Sequence, residues 1–318
     1  MIRLLTAGKR GLEETHPSKL KSVVAAGTFA WVDITGPDDD EAALMRDLFH
    51  FHPLAIEDTR NQHQRPKVEE YPKHLFLILN PGELVDCEVR FRELDVFVAS
   101  HLLVTVHPAD EPAVAEAERR ASRLFPDSPT AAHVLYALLD TVVDGYFPML
   151  DQLGDEIDEL EDLVLEKPSH ETLERLFRLK RQLVVLRKVV APQRDAMTLI
   201  NRRDLPYLET EQLSYYLRDV QDHLLRIADM ADTFRDLLSS GIDLYMSATS
   251  NRLNRVVNRL TVVTIVVGVL AVITGFYGMN FEHTWPPFGA AWGVPFAIAT
   301  MAAAVAIAVG VVRRLSKV

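Results

Sequence analysis

Two long uncharged segments near the C-terminal end constrain the fold of this chain more than any other feature. Leu260–Phe281 has 22 residues and Thr284–Val312 has 29, and only Glu282 and His283 separate them. A helix that spans a bilayer needs about 20 apolar residues. We therefore expect two membrane-spanning helices. The alternative is a buried helix pair of a soluble protein, but two adjacent runs of this length exceed the usual apolar run of a buried helix.

Basic residues predict the orientation of these helices. The loop between the segments has neither Lys nor Arg. The basic side chains that flank the segments lie before the first and after the second: Arg252, Arg255, Arg259, Arg313, Arg314 and Lys317. By the positive-inside rule, both termini face the cytoplasm. The first 20 residues carry charges and no apolar stretch of signal-peptide length. We expect a multi-pass protein of the cell (plasma or inner) membrane.

Composition excludes several classes of function. The formal net charge is −11, which argues against a nucleic-acid partner because binding phosphates requires clustered Lys and Arg. A single cysteine excludes a multi-cysteine zinc or iron site. The sequence contains no phosphate-binding glycine loop, metalloprotease histidine pair or serine nucleophile elbow. We predict neither an enzyme nor an organic cofactor.

The residues before the apolar segments divide into two zones. Short β-rich runs occur at 29–35, 74–80 and 94–108, with a helix predicted at Asp38–Phe49, so residues 1–129 are expected to form an α/β domain. Long amphipathic helices follow over Thr130–Glu166 and from Ser169 to about Arg203. A third begins near Leu208 and meets no proline before Tyr277, so it reaches about 105 Å and leads directly into the first apolar segment.

Two lines of side chains follow this third helix. An apolar seam for packing against other helices consists of Leu217, Val220, Leu224, Ile227, Ala231, Phe234, Leu238 and Tyr245. Aspartates recur with heptad spacing at Asp222, Asp229, Asp236 and Asp243. They are either an ordinary solvated face or, if several copies surround an axis, the lining of an acidic vestibule.

Small and polar residues continue with the same spacing through the first apolar segment. One line is Asn254, Thr261, Gly268 and Gly275, and its neighbour is Val257, Thr264, Ala271 and Gly278. Small residues allow close helix packing in lipid, which is one interpretation. The other is that several copies place these lines around a narrow pore.

The tetrapeptide Tyr277-Gly278-Met279-Asn280, at the outer end of the first segment, resembles the signature of the CorA family of divalent-cation transport proteins. The resemblance extends from about residue 30 to the end and includes Asn61–Glu69, Leu138–Glu161, Leu179–Lys188 and Arg218–Asn254. It implies an α+β membrane protein that assembles as a funnel-shaped homopentamer. The implied parts are a cytoplasmic α/β domain (1–129), a cytoplasmic helical stalk (130–255), a pore-lining first span (256–280), an external loop (281–290), a second span (291–312) and a basic tail (313–318).

The resemblance implies Mg²⁺ influx driven by the membrane potential, with Co²⁺ and Ni²⁺ as further substrates. Gly278, Met279 and Asn280 match the selectivity filter, where amide and carbonyl oxygens hold an ion that loses its water reluctantly. The implied pore lining is Asn254, Val257, Leu260, Thr261, Thr264, Gly268, Ala271 and Gly275, with Val257 and Leu260 as the predicted hydrophobic gate. Glu282 in the external loop would attract cations to the mouth.

Acidic residues match the family's cytoplasmic magnesium-sensing sites between subunits. They are Glu57, Asp58, Asp140, Asp219 and Asp222. Facing carboxylates repel unless a divalent ion bridges them, so Mg²⁺ is expected to act as a regulatory ligand that holds the pore closed, as well as the substrate. The expected partners are other copies of the chain, membrane lipid and divalent cations.

Two alternatives remain from the residues. The first is a zinc transporter of the same superfamily, possibly driven by protons, although the methionine of Gly-Met-Asn favours the magnesium branch. The second is a nonconducting membrane receptor whose long helices relay a signal. Such a receptor needs no continuous small and polar line through its span.

Overall fold

Two compact units make up the chain in the computed structural model, which describes residues 1–318 except 9, 63, 87, 128, 167, 203–210, 280–290 and 316–318. The first unit comprises Met1–Leu163 and Ser169–Ile242. The second comprises Val164–Pro168 and Asp243–Val318. The second unit therefore contains both apolar segments.

A seven-stranded mixed sheet forms the centre of the first unit. The strands of this unit, which include a separate pair β6 and β7, are β1 (Ile2–Gly8), β2 (Gly11–Thr15), β3 (Ala30–Thr35), β4 (Lys67–Tyr71), β5 (His74–Leu79), β6 (Gly82–Val85), β7 (Glu88–Phe91), β8 (Leu94–Ala99) and β9 (Leu102–His107). The sheet order is β2-β1-β3-β9-β8-β5-β4, and β6 pairs with β7 separately. Strands β3 and β9 run parallel, while the other neighbours run antiparallel. The predicted strands at 29–35, 74–80 and 94–108 are β3, β5, β8 and β9.

Among the described residues, four α-helices accompany the sheet: α1 (Leu20–Ala25), α2 (Asp39–Asp47), α3 (Pro53–Arg60) and α4 (Pro112–Leu124). The predicted helix at Asp38–Phe49 is α2. Asp38 caps it by accepting from the backbone N–H groups of Asp40 and Glu41 at 2.8 and 3.2 Å, and the Glu41 side chain accepts from Asp38 N. One core includes sheet residues together with α2 and α3, among them Val32, Phe76, Phe97, Val104, Met45 and Ile56.

The region predicted as one helix over Thr130–Glu166 forms two, α5 (Ala131–Asp144) and α6 (Tyr146–Glu166). Pro148 lies in the first turn of α6 and has no N–H to donate to the carbonyl of Asp144, so a continuous helix loses a bond at this point. The Tyr146 side chain is fully buried. Its hydroxyl oxygen lies 2.7 Å from the backbone oxygen of Asn80 and 2.7 Å from the side chain of Gln193, which joins α6 to α7 (His170–Arg202) and to the end of β5.

Helix α8 (Glu211–Tyr277) has 67 residues, and its part up to Ile242 belongs to the first unit. The predicted seam is buried at Leu217, Val220, Leu224, Ile227, Ala231 and Leu238, which confirms it as a packing face. The predicted aspartate line is exposed at Asp222, Asp229 and Asp236. In a single copy this line is a solvated face.

The second unit contains α8 from Asp243 onward and α9 (Gly293–Leu315). Within the described residues, two helical stretches are long and apolar enough to span a bilayer, Leu213–Phe276 and Gly293–Val312, with peak mean hydropathy of 2.3 and 2.2. Only 0% and 6% of their most apolar stretches is buried. This exposure argues against core helices of a soluble protein and fits helices surrounded by lipid or by other copies.

Candidate ion pathway and cation-binding residues

The apolar part of α8 has a half-buried stripe. Its members recur three and four residues apart along one face of the helix: Val262, Ile265, Val266, Val269, Leu270 and Ile273. Helix α9 has a comparable stripe, in which Ala297 is buried and the half-buried members are Met301, Ala304, Val305, Ala308, Val309 and Val312. This spacing is typical of one packed helix face, so it identifies the side of α8 that is partly covered by the rest of the chain.

The predicted pore-lining residues lie on other faces of α8. All of them are exposed: Asn254, Val257, Leu260, Thr261, Thr264, Gly268, Ala271 and Gly275. A Cβ atom built on Gly268 or Gly275 would have no neighbouring heavy atom within 4 Å. The small residues on this face are therefore not explained by close packing within the single chain.

Two threonines on this face have hydroxyl groups whose hydrogens are bonded within the helix. Thr261 donates its hydroxyl hydrogen to the backbone oxygen of Val257, and Thr264 donates to that of Leu260, both at 2.9 Å. A hydroxyl group has one hydrogen and two lone pairs. Since the hydrogen is used within the helix, the exposed side of each hydroxyl accepts hydrogen bonds, which suits the outward-pointing hydrogens of water around a cation.

The predicted filter follows the last turn of α8. Gly278 N donates to the backbone oxygen of Thr274 at 2.9 Å, and Met279 N donates to that of Phe276 at 3.3 Å. A Cβ on Gly278 would lie 3.2 Å from the Thr274 oxygen, so glycine avoids a tight contact there. Gly278 and Met279 are exposed. Asn280 and Glu282, the other predicted filter and loop residues, lie outside the described residues.

The first acidic group is built on α3 and the edge strand β4. Glu57 is exposed, and Asp58 is half-buried. Lys67 Nζ lies 2.6 Å from Asp58 Oδ2 and 2.8 Å from Glu69 Oε1. The Tyr71 hydroxyl donates to Glu69 Oε2 at 2.8 Å. Burial alone would lower the pKa of Lys67, but its bonds to Asp58 and Glu69 raise it, so the ammonium stays charged.

The second acidic group joins α5, α4 and α8. The side-chain ligand atoms of Asp140, Asp144 and His223 lie within 4.8 Å of one another. His223 Nδ1 is 3.2 Å from Asp144 Oδ1. Arg120 Nη1 donates to Asp140 Oδ2 and, at 2.9 Å, to Asp144 Oδ2. Burial and the neighbouring Asp144 raise the pKa of Asp140, while Arg120 acts in the opposite direction.

Asp219 is exposed and its Oδ1 lies 3.9 Å from His223 Nε2, which places it beside this second group; Asp222 is exposed on the same helix. Thus Asp140 and Asp219 are brought together through Asp144 and His223, whereas Asp58 pairs with Lys67 on other elements. Asp144 and His223 were not predicted as cation ligands from the sequence. Each lies four residues after a predicted ligand, Asp144 after Asp140 and His223 after Asp219, and this i, i+4 spacing is a sequence signal that could have identified them.

The sequence and the fold are both similar to those of known transport proteins. Residues 26–314 match the family model described as CorA-like Mg²⁺ transporter protein. The chain belongs to the CorA family. The cobalt/magnesium transport protein CorA of Thermotoga maritima is 37% identical over 284 residues, covering 87% of this chain and 80% of that protein.

The structure of the complete CorA magnesium transporter from Methanocaldococcus jannaschii has a TM-score of 0.83 at 24% identity, covering 99% of this chain and 98% of that one. This likeness confirms the α/β domain, the long helix and the two apolar helices as the CorA fold. The zinc transport protein ZntB of Photorhabdus laumondii is 26% identical over 153 residues, 48% of this chain and 46% of that protein. Members of the CorA family are transport proteins, so this chain is a membrane transport protein and not an enzyme.

Proposed function

We propose that this chain forms a homopentameric channel that conducts Mg²⁺ into the cell, together with Co²⁺ and Ni²⁺. The observation that carries the proposal is the exposed line of small and polar residues on α8, from Asn254 to Gly275, which is separate from the half-buried stripe. A ring of such helices places these residues around an axis. Membership of the CorA family and the name of the Thermotoga relative support Mg²⁺ and Co²⁺ as substrates.

The chemistry of this line suits a hydrated divalent cation. Mg²⁺ holds its water tightly, so a pore that offers hydrogen-bond acceptors passes the ion with its water in place. Thr261 and Thr264 offer such acceptors because their hydroxyl hydrogens are bonded within the helix. Gly278, Met279 and Asn280 form the proposed filter, Glu282 raises the local cation concentration, and Val257 with Leu260 is the proposed gate.

The driving force is the membrane potential. We place both termini in the cytoplasm, with the basic residues that precede the apolar part of α8 and those at the C-terminal end of α9 on the inner side. At about 100 mV, two charges gain roughly 4.6 kcal/mol on entry. This energy corresponds to more than a thousandfold accumulation, so passive conduction is sufficient and nucleotide hydrolysis is not required.

Regulation is proposed to reside in the acidic groups of the first unit. Glu57, Asp58, Asp140, Asp219 and Asp222 supply carboxylate oxygens, which are the donors that Mg²⁺ prefers. Mg²⁺ that links such residues of adjacent subunits would stabilise the closed ring. When the cytoplasmic concentration falls, the ion leaves and like charges loosen the ring. Asp58→Ala with Asp219→Ala should then leave conduction unresponsive to internal Mg²⁺; unchanged closure would contradict this account.

The proposal is tested by ion uptake into proteoliposomes with an imposed potential, negative inside. Wild type should take up more Mg²⁺ as the imposed potential increases, and Asn280→Ala, which removes the amide of the proposed filter, should lose this uptake. Equal detergent extraction and oligomer size of the two proteins serve as the control for folding. Ni²⁺, Co²⁺ and Zn²⁺ are measured in parallel.

Each alternative gives a different pattern in this assay. Zn²⁺ uptake that follows an imposed pH gradient, without Mg²⁺ uptake, would assign the chain to the zinc branch. No flux of any of these ions would favour a receptor. Mg²⁺ uptake that persists in Asn280→Ala would remove this residue from the filter.

A further inference from the structure

Basic side chains already pair with two of the carboxylates that we assign to cation sensing, Lys67 with Asp58 and Arg120 with Asp140. We infer that Lys67 and Arg120 are internal counter-ions that compete with the divalent cation and set the concentration to which the protein responds. This inference rests on the proposed function, because it takes Asp58 and Asp140 as sensing ligands.

Lys67 competes directly for Asp58. Its ammonium lies 2.6 Å from Asp58 Oδ2, and the two side chains are only 30% and 24% exposed. Reduced contact with water strengthens the attraction between the charges. An ammonium group donates hydrogen bonds but cannot coordinate a metal, so a cation that takes Asp58 Oδ2 must displace it.

Lys67 has a second acceptor to which it remains bound after displacement. Glu69 Oε1 is 2.8 Å from its ammonium, and Glu69 is held in turn by the hydroxyl of Tyr71. Displacement by a cation therefore breaks one of two ion pairs and leaves the ammonium beside Glu69. The competition is reversible without large movement of the lysine.

Arg120 repeats this arrangement on different elements. Its guanidinium donates to Asp140 and also to Asp144, at 2.9 Å for the second. A cation that takes Asp140 leaves Arg120 with Asp144. The same design at two separate carboxylates indicates a common role in limiting cation affinity.

The competition has two physical consequences. Each basic group lowers the apparent affinity for Mg²⁺, since a fraction of the carboxylate is paired at any moment. Each also neutralises a carboxylate after the ion leaves, which limits the repulsion between subunits. Removing the positive charge should therefore strengthen Mg²⁺ binding, an effect opposite to that expected from loss of a structural contact.

The test measures Mg²⁺ binding through protection of the full-length protein in detergent from chymotrypsin, at constant ionic strength. The variants are Lys67→Gln and Lys67→Arg, with Lys73→Gln as the matched control because Lys73 is an exposed lysine in the turn after β4. Lys67→Gln should reach half-protection at about threefold lower Mg²⁺ concentration, the scale of a partly exposed ion pair. Lys67→Arg and Lys73→Gln should match wild type.

A half-protecting concentration that is unchanged or higher in Lys67→Gln would overturn the inference while leaving sensing intact. Absence of Mg²⁺-dependent protection in wild type would instead contradict the proposed sensing role itself. Arg120→Gln provides a second measurement at the other carboxylate group, with circular dichroism to confirm that each variant is folded. A shift in the same direction supports the inference, and a shift to higher concentration contradicts it for Arg120.

Discussion

Replacing His74 with leucine should remove a pH-dependent loss of stability from the first unit. The His74 side chain is 2% exposed and lies among Phe51, Tyr71 and Phe97, with ring centroids 4.8, 4.9 and 5.8 Å away. Neither ring nitrogen has a hydrogen-bond partner among the described residues. Burial lowers the pKa of His74 from 6.5 to about 4.

The sign and size of the effect follow from proton linkage. Because the folded pKa is lowered, the unfolded chain binds more protons between pH 6.5 and 4, so stability is complete above pH 6.5 and falls as the pH decreases. At pH 5 the unfolded histidine is almost fully protonated and the folded one about a tenth protonated. The free energy of unfolding should therefore be about 2 kcal/mol lower at pH 5 than at pH 8 from His74 alone.

The assay is thermal unfolding of the full-length protein in detergent at pH 8 and pH 5, followed by circular dichroism. For a unit of this size, 2 kcal/mol corresponds to roughly 4–8 °C in Tm. The decrease in Tm between the two pH values should be smaller by this amount in His74→Leu. His101→Leu, at an exposed histidine in the turn between β8 and β9, should behave as wild type. Equal pH dependence of His74→Leu and wild type would refute the reasoning.

Two further predictions concern buried polar groups. Tyr146→Phe removes the hydroxyl that bonds to Asn80 and Gln193 and should lower the free energy of unfolding by about 1–3 kcal/mol, whereas Tyr215→Phe at an exposed tyrosine should not; equal Tm values would contradict this. Asp95→Asn should raise Tm at pH 8 but not at pH 4, because burial raises the pKa of Asp95 well above its ordinary value and ionisation costs stability as the pH rises. Asp110→Asn, at an exposed aspartate, is its control, and a lower Tm of Asp95→Asn at pH 8 would contradict the prediction.

The predictable parts of the fold are the helices and strands whose own residues show a hydrophobic or capping pattern. The seam of α8, with Leu224 and Ile227, repeats every three or four residues, and hydrophobic periodicity alone identifies the buried face. The central strands β3, β5, β8 and β9 are buried on both faces and consist mostly of apolar residues. The start of α2 was predictable because Asp38 and Glu41 form a capping box within four residues.

The parts that were missed depend on distant residues. Edge strands β2 and β4 are rich in charged residues, and only pairing with β1 and β5 makes them strands. The pairing of Lys67 with Asp58 and of Arg120 with Asp140 depends on how α3, α4 and α5 pack, which no local pattern encodes. The line of small residues on α8 was visible in the sequence, but its exposure within the chain required the structure.

The claim that the exposed face of α8 lines an ion pathway is tested most directly by two matched glycine substitutions. Gly268 lies on this face, Gly310 lies on an exposed face of α9, and a Cβ on either meets no heavy atom within 4 Å in the single chain. Potential-driven Mg²⁺ uptake into proteoliposomes should be abolished in Gly268→Leu and retained in Gly310→Leu. Wild-type uptake in Gly268→Leu, with the protein correctly inserted, would contradict the proposed pathway.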